Sequence, residues 1–232
     1  MLNDLPPSMP QFFFPADRVG DTELVHVGGK LTSDWLLDAY THGIFPWPLS
    51  DPFRWGNTIL AWFSPDPRCI FELDQFHVSR RLARTCKSGR FRIKSDTDFS
   101  SVIRGCARKR SRQAGTWITP EMIDAYTEFH RLGYAHSVEA WSGDELVGGV
   151  YGVAIGGLFA AESMFFTHRD ASKVALVTLM RHLQERNYQL VDIQVKTEHT
   201  AQLGAVEIPR SEYLCRLQSA LRHKIEFGTI GK

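Results

Sequence analysis

The chain has 232 residues, 43% hydrophobic and 12% aromatic, enough for one large or two small folded units with a sizeable core. No run of about 18 consecutive apolar residues occurs, which excludes a spanning helix and any role as a membrane protein of that kind. The formal net charge of +1 hides a segregation: residues 80–112 hold twelve Lys/Arg against two acids, a local +10, whereas the remainder holds fifteen against twenty-four, a balance of −9.

The first eighteen residues carry two acids and four prolines, with only the short Phe12-Phe13-Phe14 apolar run, so no secretory leader is expected. Residues 1–69 stay rich in Pro and Trp, as in Phe45-Pro46-Trp47-Pro48 and Trp62-Phe63-Ser64-Pro65-Asp66-Pro67-Arg68. Such punctuation breaks long elements and predicts a small, irregular N-terminal domain over 1–69 with one helix around 33–42. A second domain is expected over 70–232. Cys69, Cys86, Cys106 and Cys215 are scattered without a C-x-x-C pair, and the nine histidines form no H-x-x-x-H pair. No metal site is expected, and a reducing cytoplasm is the expected compartment.

From Val78 the spacing becomes helical and the basic residues concentrate. A one-signed field of this kind suggests a polyanionic partner, most simply a nucleic-acid backbone. The bland reading is a solvated face balanced by the acidic remainder of the molecule.

From about Tyr134 strands dominate. Residues 146–154 and 158–165 read as strands, and the Ile155-Gly156-Gly157 break supplies the positive φ of a hairpin turn. A helix is predicted to begin near 170–172, where a short oxygen-bearing side chain can accept from the first-turn N–H groups. Its Leu176, Leu179, Met180 and Leu183 recur at three- and four-residue spacing and form one stripe for packing on a sheet. Asn187 ends that turn, and residues 190–194 return as a strand. The period of two places Asp192 and Gln194 on one face, the first candidates for chemistry. Glu162 stands in a strand of Phe, Ala and Met, where an unpaired charge is expensive. It either pairs with a cation such as Lys173 or Arg210, or serves the chemistry.

Seven motifs in register, Gly43-Ile44-Phe45-Pro46-Trp47, Ser64-Pro65-Asp66-Pro67-Arg68, Gly115-Thr116-Trp117-Ile118-Thr119, Glu162-Ser163-Met164-Phe165, Ala171-Ser172-Lys173, Asp192-Ile193-Gln194 and the segment from Leu203 through Arg210, carry a resemblance. Over roughly residues 12–215 the chain resembles the bacterial leucyl/phenylalanyl-tRNA–protein transferase family. That family's C-terminal domain is similar to the acyl-CoA N-acetyltransferase fold, so the resemblance implies an α+β protein with a mixed sheet flanked by helices. It implies an aminoacyltransferase that moves Leu or Phe, and less well Met, from aminoacyl-tRNA to the α-amino group of proteins beginning with Arg or Lys. The product would be marked for degradation, with a degradation adaptor as a downstream partner.

An aminoacyl-tRNA is an activated ester, so such an enzyme needs no cofactor, no ATP and no covalent nucleophile. No phosphate-binding G-x-x-x-x-G-K-[ST] or G-x-S-x-G motif is present. By the resemblance, Trp47 and Trp117, with Tyr40 and Tyr126 nearby, would cradle the terminal adenosine; stacking on an aromatic face is worth roughly 1–3 kcal/mol per base. Val150, Phe159 and Leu183, and more weakly Val191 and Leu179, would wall the Leu/Phe pocket. Asp192, Gln194 and Glu162 would be catalytic: Asp192 polarises Gln194, whose oxygen approaches the acceptor amine, and Glu162 holds that amine or its basic side chain. The final proton acceptor stays open among Asp192, a water and the ribose 2′-hydroxyl. Arg80, Arg81, Arg84, Arg108, Lys109, Arg110 and Arg112 would meet tRNA phosphates without reading bases. The sequence departs from the family pattern at Lys30, where Asp is usual, and in the lengthened segment 51–58.

Two rivals remain at this point. An acetyl-CoA-dependent N-acetyltransferase needs a glycine-rich pyrophosphate loop before its helix, whereas Thr167-His168-Arg169-Asp170-Ala171-Ser172 has no glycine and carries an acid. A non-catalytic tRNA-binding protein would explain the charge segregation but not the polar residues along the buried strands.

Overall fold

The computed structural model describes residues 12–13, 22–51, 53, 57–108 and 117–231. The N-terminal part is built from short pieces, as its prolines dictate: β1 (Leu24–Val27), α1 (Ser33–Thr41), β2 (Phe45–Pro46), β3 (Leu49–Ser50), β4 (Thr58–Ile59) and β5 (Ala61–Phe63). These form a three-stranded sheet in the order β1-β5-β2 and a separate β3-β4 pair. Trp62, fully buried, donates its indole N–H to the Gly28 carbonyl at 2.9 Å and anchors this layer.

The rest of the chain follows as β6 (Arg68–Phe71), α2 (Arg80–Lys87), β7 (Arg92–Ser95), α3 (Phe99–Ala107), α4 (Pro120–Arg131), β8 (Ala135–Ser142), β9 (Glu145–Ile155), β10 (Leu158–Phe166), α5 (Ala171–Glu185), β11 (Leu190–Gln194), α6 (Glu198–Ala201), β12 (Ala205–Ile208) and α7 (Arg210–Ala220). The strands make one seven-stranded sheet, ordered β12-β6-β11-β10-β9-β8-β7. Only β10 and β11 run parallel, joined by the α5 crossover; the other neighbours are antiparallel. This is the mixed, helix-flanked α+β sheet expected from the sequence.

Alternation along the strands sorts the core into two faces. Val138, Val150, Phe159 and Val191 pack with the Leu176–Leu179–Met180–Leu183 stripe of α5. Tyr151, Val153, Ala160 and Phe165 face α1, α3 and α4. Ile70, Leu158, Leu190 and Ile208 pack under α7 through Tyr213 and Leu217.

One local expectation differs. Asp170 precedes α5 in a left-handed conformation (φ 69°), and its side chain makes no cap hydrogen bond. The carboxylate, largely buried, accepts from Arg81 Nη2 at 3.1 Å instead. A long-range ion pair has taken the acceptor that a local cap would use.

The register places the opening that matters. Ala160 pairs with Asp192, and beyond that pair β10 and β11 part. Both strands also break register against their outer neighbours there, β10 between Ala161 and Ser163, β11 between Asp192 and Gln194. Such two-against-one irregularities bend a strand and re-aim its side chains. Gln194 takes φ 58°, so the simple period of two ends at this residue.

Gly152 lies in the tightest part of this sheet: a Cβ there would meet the Ala160 carbonyl oxygen and the Phe159 ring. Gly152→Ala is therefore expected to destabilise the protein by about 1–3 kcal/mol, the usual penalty for overpacking. A urea titration would read this as a lower midpoint at unchanged slope.

Candidate active site

A cleft of about 560 Å³ opens where β10 and β11 part, a size suited to a small ligand. Its floor comes from Ala161–Met164 and from Ile193 and Gln194; its apolar wall from Phe71, Val150, Met164, Leu176 and Ile193; its mouth from Trp47, Trp117 and Phe166. Trp47 and Trp117 stack on each other with ring centroids 4.7 Å apart and planes 13° from parallel. Lys173, His199 and Thr200 form a polar side, continuous with a smaller recess lined by His77, Ser79 and Arg81. Burial and the Lys173 charge hold the His199 imidazole below its ordinary value.

Asp192 lies behind the cleft and is fully buried. Its Oδ1 accepts from Arg68 Nε and from the Gln194 backbone N–H, each at 2.9 Å. Its Oδ2 accepts from Arg68 Nη2 at 2.6 Å and from the Tyr213 hydroxyl at 2.9 Å. Arg68, also fully buried, sends Nη1 to the Gly43 carbonyl at 2.9 Å and lies over the Phe45 and Tyr213 rings. Burial opposes the guanidinium charge, but the charge and hydrogen bonds of Asp192, together with Tyr213 and Glu162, hold Arg68 above its ordinary pKa. Gly43 itself needs φ 76° and the close approach of Leu214, so no side chain fits there.

Glu162 faces the cleft, half-buried. The Tyr40 hydroxyl donates to its Oε1 at 2.7 Å, and Tyr126 reaches Oε2 at 3.4 Å. The two hydroxyls lie 2.5 Å apart. Burial raises the Glu162 carboxyl to about 8 against the lowering hydrogen bond from Tyr40, with the Asp192 charge adding to the rise. Glu162 is therefore largely protonated at neutral pH. The Gln194 amide agrees with this: its nitrogen is best satisfied donating to the carbonyls of Ala161 (3.1 Å) and Ile193 (3.0 Å), across the parted strands. The other end of the amide stands 3.3 Å from Glu162 Oε1, where an amide oxygen can accept from a protonated carboxyl.

Among the sequence candidates, Trp47, Trp117, Val150, Glu162 and Gln194 line the cleft. Tyr40 and Tyr126 sit behind Glu162, fully buried, rather than on the cleft wall. Phe159, Leu179, Leu183 and Val191 lie in the core beneath the wall. Arg80, Arg84 and Arg108 are exposed and Arg81 is partnered by Asp170; Lys109, Arg110 and Arg112 lie outside the described residues. No ion pair joins Glu162 to Lys173 or Arg210, the partners considered for it. Sequence reasoning missed the roles of Arg68 and Tyr213. A charged residue ending a proline-rich run was the available signal for Arg68; Tyr213 offered none.

A family model described as leucyl/phenylalanyl-tRNA protein transferase matches residues 70–218, and one described as its N-terminal domain matches residues 29–66. The chain belongs to the leucyl/phenylalanyl-tRNA protein transferase family. It is 53% identical over 210 residues to the leucyl/phenylalanyl-tRNA–protein transferase of Anaeromyxobacter sp. (strain Fw109-5), covering 90% of this chain and 87% of the relative. It is 49% identical over 212 residues to that of Nitratidesulfovibrio vulgaris (strain DP4), covering 91% and 88%. With that of Syntrophotalea carbinolica it shares 48% over 221 residues, 95% and 94% of the two chains. Members of this family are aminoacyltransferases, and this chain is an enzyme of that class. Among the described residues no helix is long and apolar enough to cross a membrane.

Removing one partner of the Arg68–Asp192 pair leaves a buried charge. Arg68→Met is expected to lose about 3–5 kcal/mol in chemical denaturation, and Arg68→Met with Asp192→Leu to recover much of that loss. Glu162 gives a second expectation. Its folded value exceeds the ordinary 4.5, so its contribution to stability is complete below about pH 4.5 and is lost as pH rises towards 8. Glu162→Gln should therefore gain stability relative to the parent between pH 5 and pH 8, read from denaturation midpoints at the two ends.

Proposed function

We propose that this enzyme transfers Leu or Phe from aminoacyl-tRNA to the α-amino group of proteins beginning with Arg or Lys, forming a peptide bond. The observation that carries this reading is the cleft itself: a stacked indole pair at the mouth, an apolar wall and a polar floor of Glu162 and Gln194. These correspond in order to the three parts of the donor, a base, an amino-acid side chain and a reactive ester.

The terminal adenine stacks on Trp47 or Trp117, and the Leu or Phe side chain enters beside Val150, Phe71, Met164 and Leu176. Shape discrimination between such side chains is worth about 1–3 kcal/mol per methylene, so Met is a minor substrate. The ester needs no further activation. The protein's task is to align its carbonyl with an unprotonated amine, and orientation alone can lower such a barrier by roughly 7–11 kcal/mol. Arg68 and Asp192 contribute indirectly, by fixing the bend that points Gln194 at the cleft. The basic residues Arg80, Arg81, Arg84 and Arg108 meet phosphates of the tRNA, the α2 end adjoining the cleft through Lys173 and His199. Lys109, Arg110 and Arg112 belong to the same basic run. The domain division proposed is 1–69 and 70–232, the first supplying Trp47. The setting is cytoplasmic, and the modified proteins pass to a degradation adaptor.

The deciding experiment offers labelled Leu-tRNA with two peptides that differ only in beginning with Arg or Ala. Transfer to the Arg peptide alone is expected; transfer to both, or to neither, would overturn the acceptor or the reaction respectively. Trp117→Ala should raise KM for aminoacyl-tRNA by the roughly 1–3 kcal/mol of one lost stack, with little change for the peptide. Affinity for tRNA should fall with salt by about 0.7–0.9 log unit per tenfold salt for each phosphate contact, and less steeply in Arg80→Ala/Arg84→Ala.

A further inference from the structure

Peptide bond formation must move a proton off the attacking nitrogen and deliver one to the ribose oxygen. The groups near the cleft do not offer equal means of doing this. Asp192 is fully buried, does not reach the cleft, and accepts four hydrogen bonds on its two oxygens. The Gln194 amide is far too weakly basic to hold a proton. Glu162 is the carboxyl group that lines the cleft among the described residues. Its Oε1 is occupied by Tyr40 and the Gln194 amide, whereas Oε2 has only the long 3.4 Å contact from Tyr126 and keeps a lone pair free.

Resting on the transfer reaction proposed above, we propose that Glu162 is the proton carrier of the active site, with Tyr40 and Tyr126 as the positioning residues that hold its carboxyl. The ionised carboxylate accepts a proton from the attacking α-amino nitrogen as the C–N bond forms. It then gives the same proton to the ribose 3′-oxygen as the C–O bond breaks. Glu162 ends ionised, the amide is neutral, the tRNA leaves with a free 3′-hydroxyl, and no other reactant is consumed.

The surroundings suit this role. A base works best when its pKa lies near the operating pH, and the Glu162 carboxyl, raised to about 8 by burial, meets an acceptor amine whose ordinary value is about 7.7–8.0. The buried tyrosines stay protonated, because burial raises both well above their ordinary values, so they remain donors when Glu162 ionises. The Gln194 amide oxygen is placed to accept from the neutral carboxyl, while its nitrogen is held by the Ala161 and Ile193 carbonyls. The charged and titratable groups around Glu162 are Tyr40 on α1, Tyr126 on α4, Tyr151 on β9, Arg68 on β6 and Asp192 on β11. Lys173 and His199 face the cleft from α5 and α6, and His199 is the competing base.

The test uses the full chain, tRNA charged with 3-phenyllactic acid, which has a hydroxyl where Phe has its α-amino group, and an Arg-initiated peptide whose terminal amine is replaced by an oxyamine, so that donor and acceptor both stay neutral across the range. Any ionisation left in the kcat profile then belongs to the enzyme. The parent is expected to gain about tenfold in kcat per pH unit below pH 8 and to level above it, as a single required base demands. Glu162→Gln should be slow and flat, and His199→Asn should keep the parent profile. Tyr40→Phe removes a hydrogen bond that lowers the Glu162 value, so its profile should shift to higher pH. A flat profile in the parent, a sloping one in Glu162→Gln, or a profile abolished by His199→Asn would overturn the assignment. Absence of any transfer by the parent, with the ordinary amine as well, would instead refute the transferase reading. Circular dichroism and tRNA affinity of each variant confirm that it is folded.

Discussion

The geometry of this protein hangs on the buried pair of Arg68 and Asp192. Each ion leaves water at an effective penalty of several kcal/mol, and only a complete set of partners offsets it. The set is complete here: two oxygens of Asp192 meet a guanidinium, a phenol and a backbone N–H, and the guanidinium also reaches the Gly43 carbonyl. These groups come from β6, β11, α7 and the turn after α1. One interaction therefore ties the small N-terminal part to the centre of the seven-stranded sheet. It also consumes the Gln194 N–H that a regular ladder would have used, which is why β11 bends at that residue.

From that bend the cleft follows. Two parallel strands that part leave backbone groups without partners, and the Gln194 side chain bridges two of the carbonyls on either side of the gap. Glu162 sits opposite, hydrogen-bonded by phenols and paired with no cation, so its charge is discouraged without being forbidden. Asp192, by contrast, has both carboxylate oxygens taken up by Arg68, Tyr213 and the Gln194 backbone. The sheet keeps the two acids apart in environment although they stand on neighbouring strands, and gives them different work.

Much of this was legible in the sequence where the signal was local. The β9–β10 hairpin, the α5 stripe and the return strand with Asp192 are set by periodicity and by glycine, which act over a few residues. Leu179 and Leu183 follow the same rule, and their burial beneath the wall rather than on it depends on the depth of a sheet, which no spacing encodes. Arg68 and Asp192 are 124 residues apart, and nothing local announces that they meet. The Asp170 cap was misread because Arg81, 89 residues away, competes for its carboxylate. Tyr40 and Tyr126 were placed near the adenosine by resemblance, while their contact with each other and with Glu162 is purely tertiary.

The tryptophans at the mouth carry a consequence of their own. With centroids 4.7 Å apart the indoles are already in van der Waals contact, and no base can lie between them. On the reading proposed above, an arriving adenine stacks on an outer face of the pair. That stack, like contacts to the phosphate backbone, would be open to the loaded and the spent molecule alike. On that same reading, discrimination between them falls to the aminoacyl group in the apolar cleft, so a molecule that has given up its amino acid loses its deepest anchor.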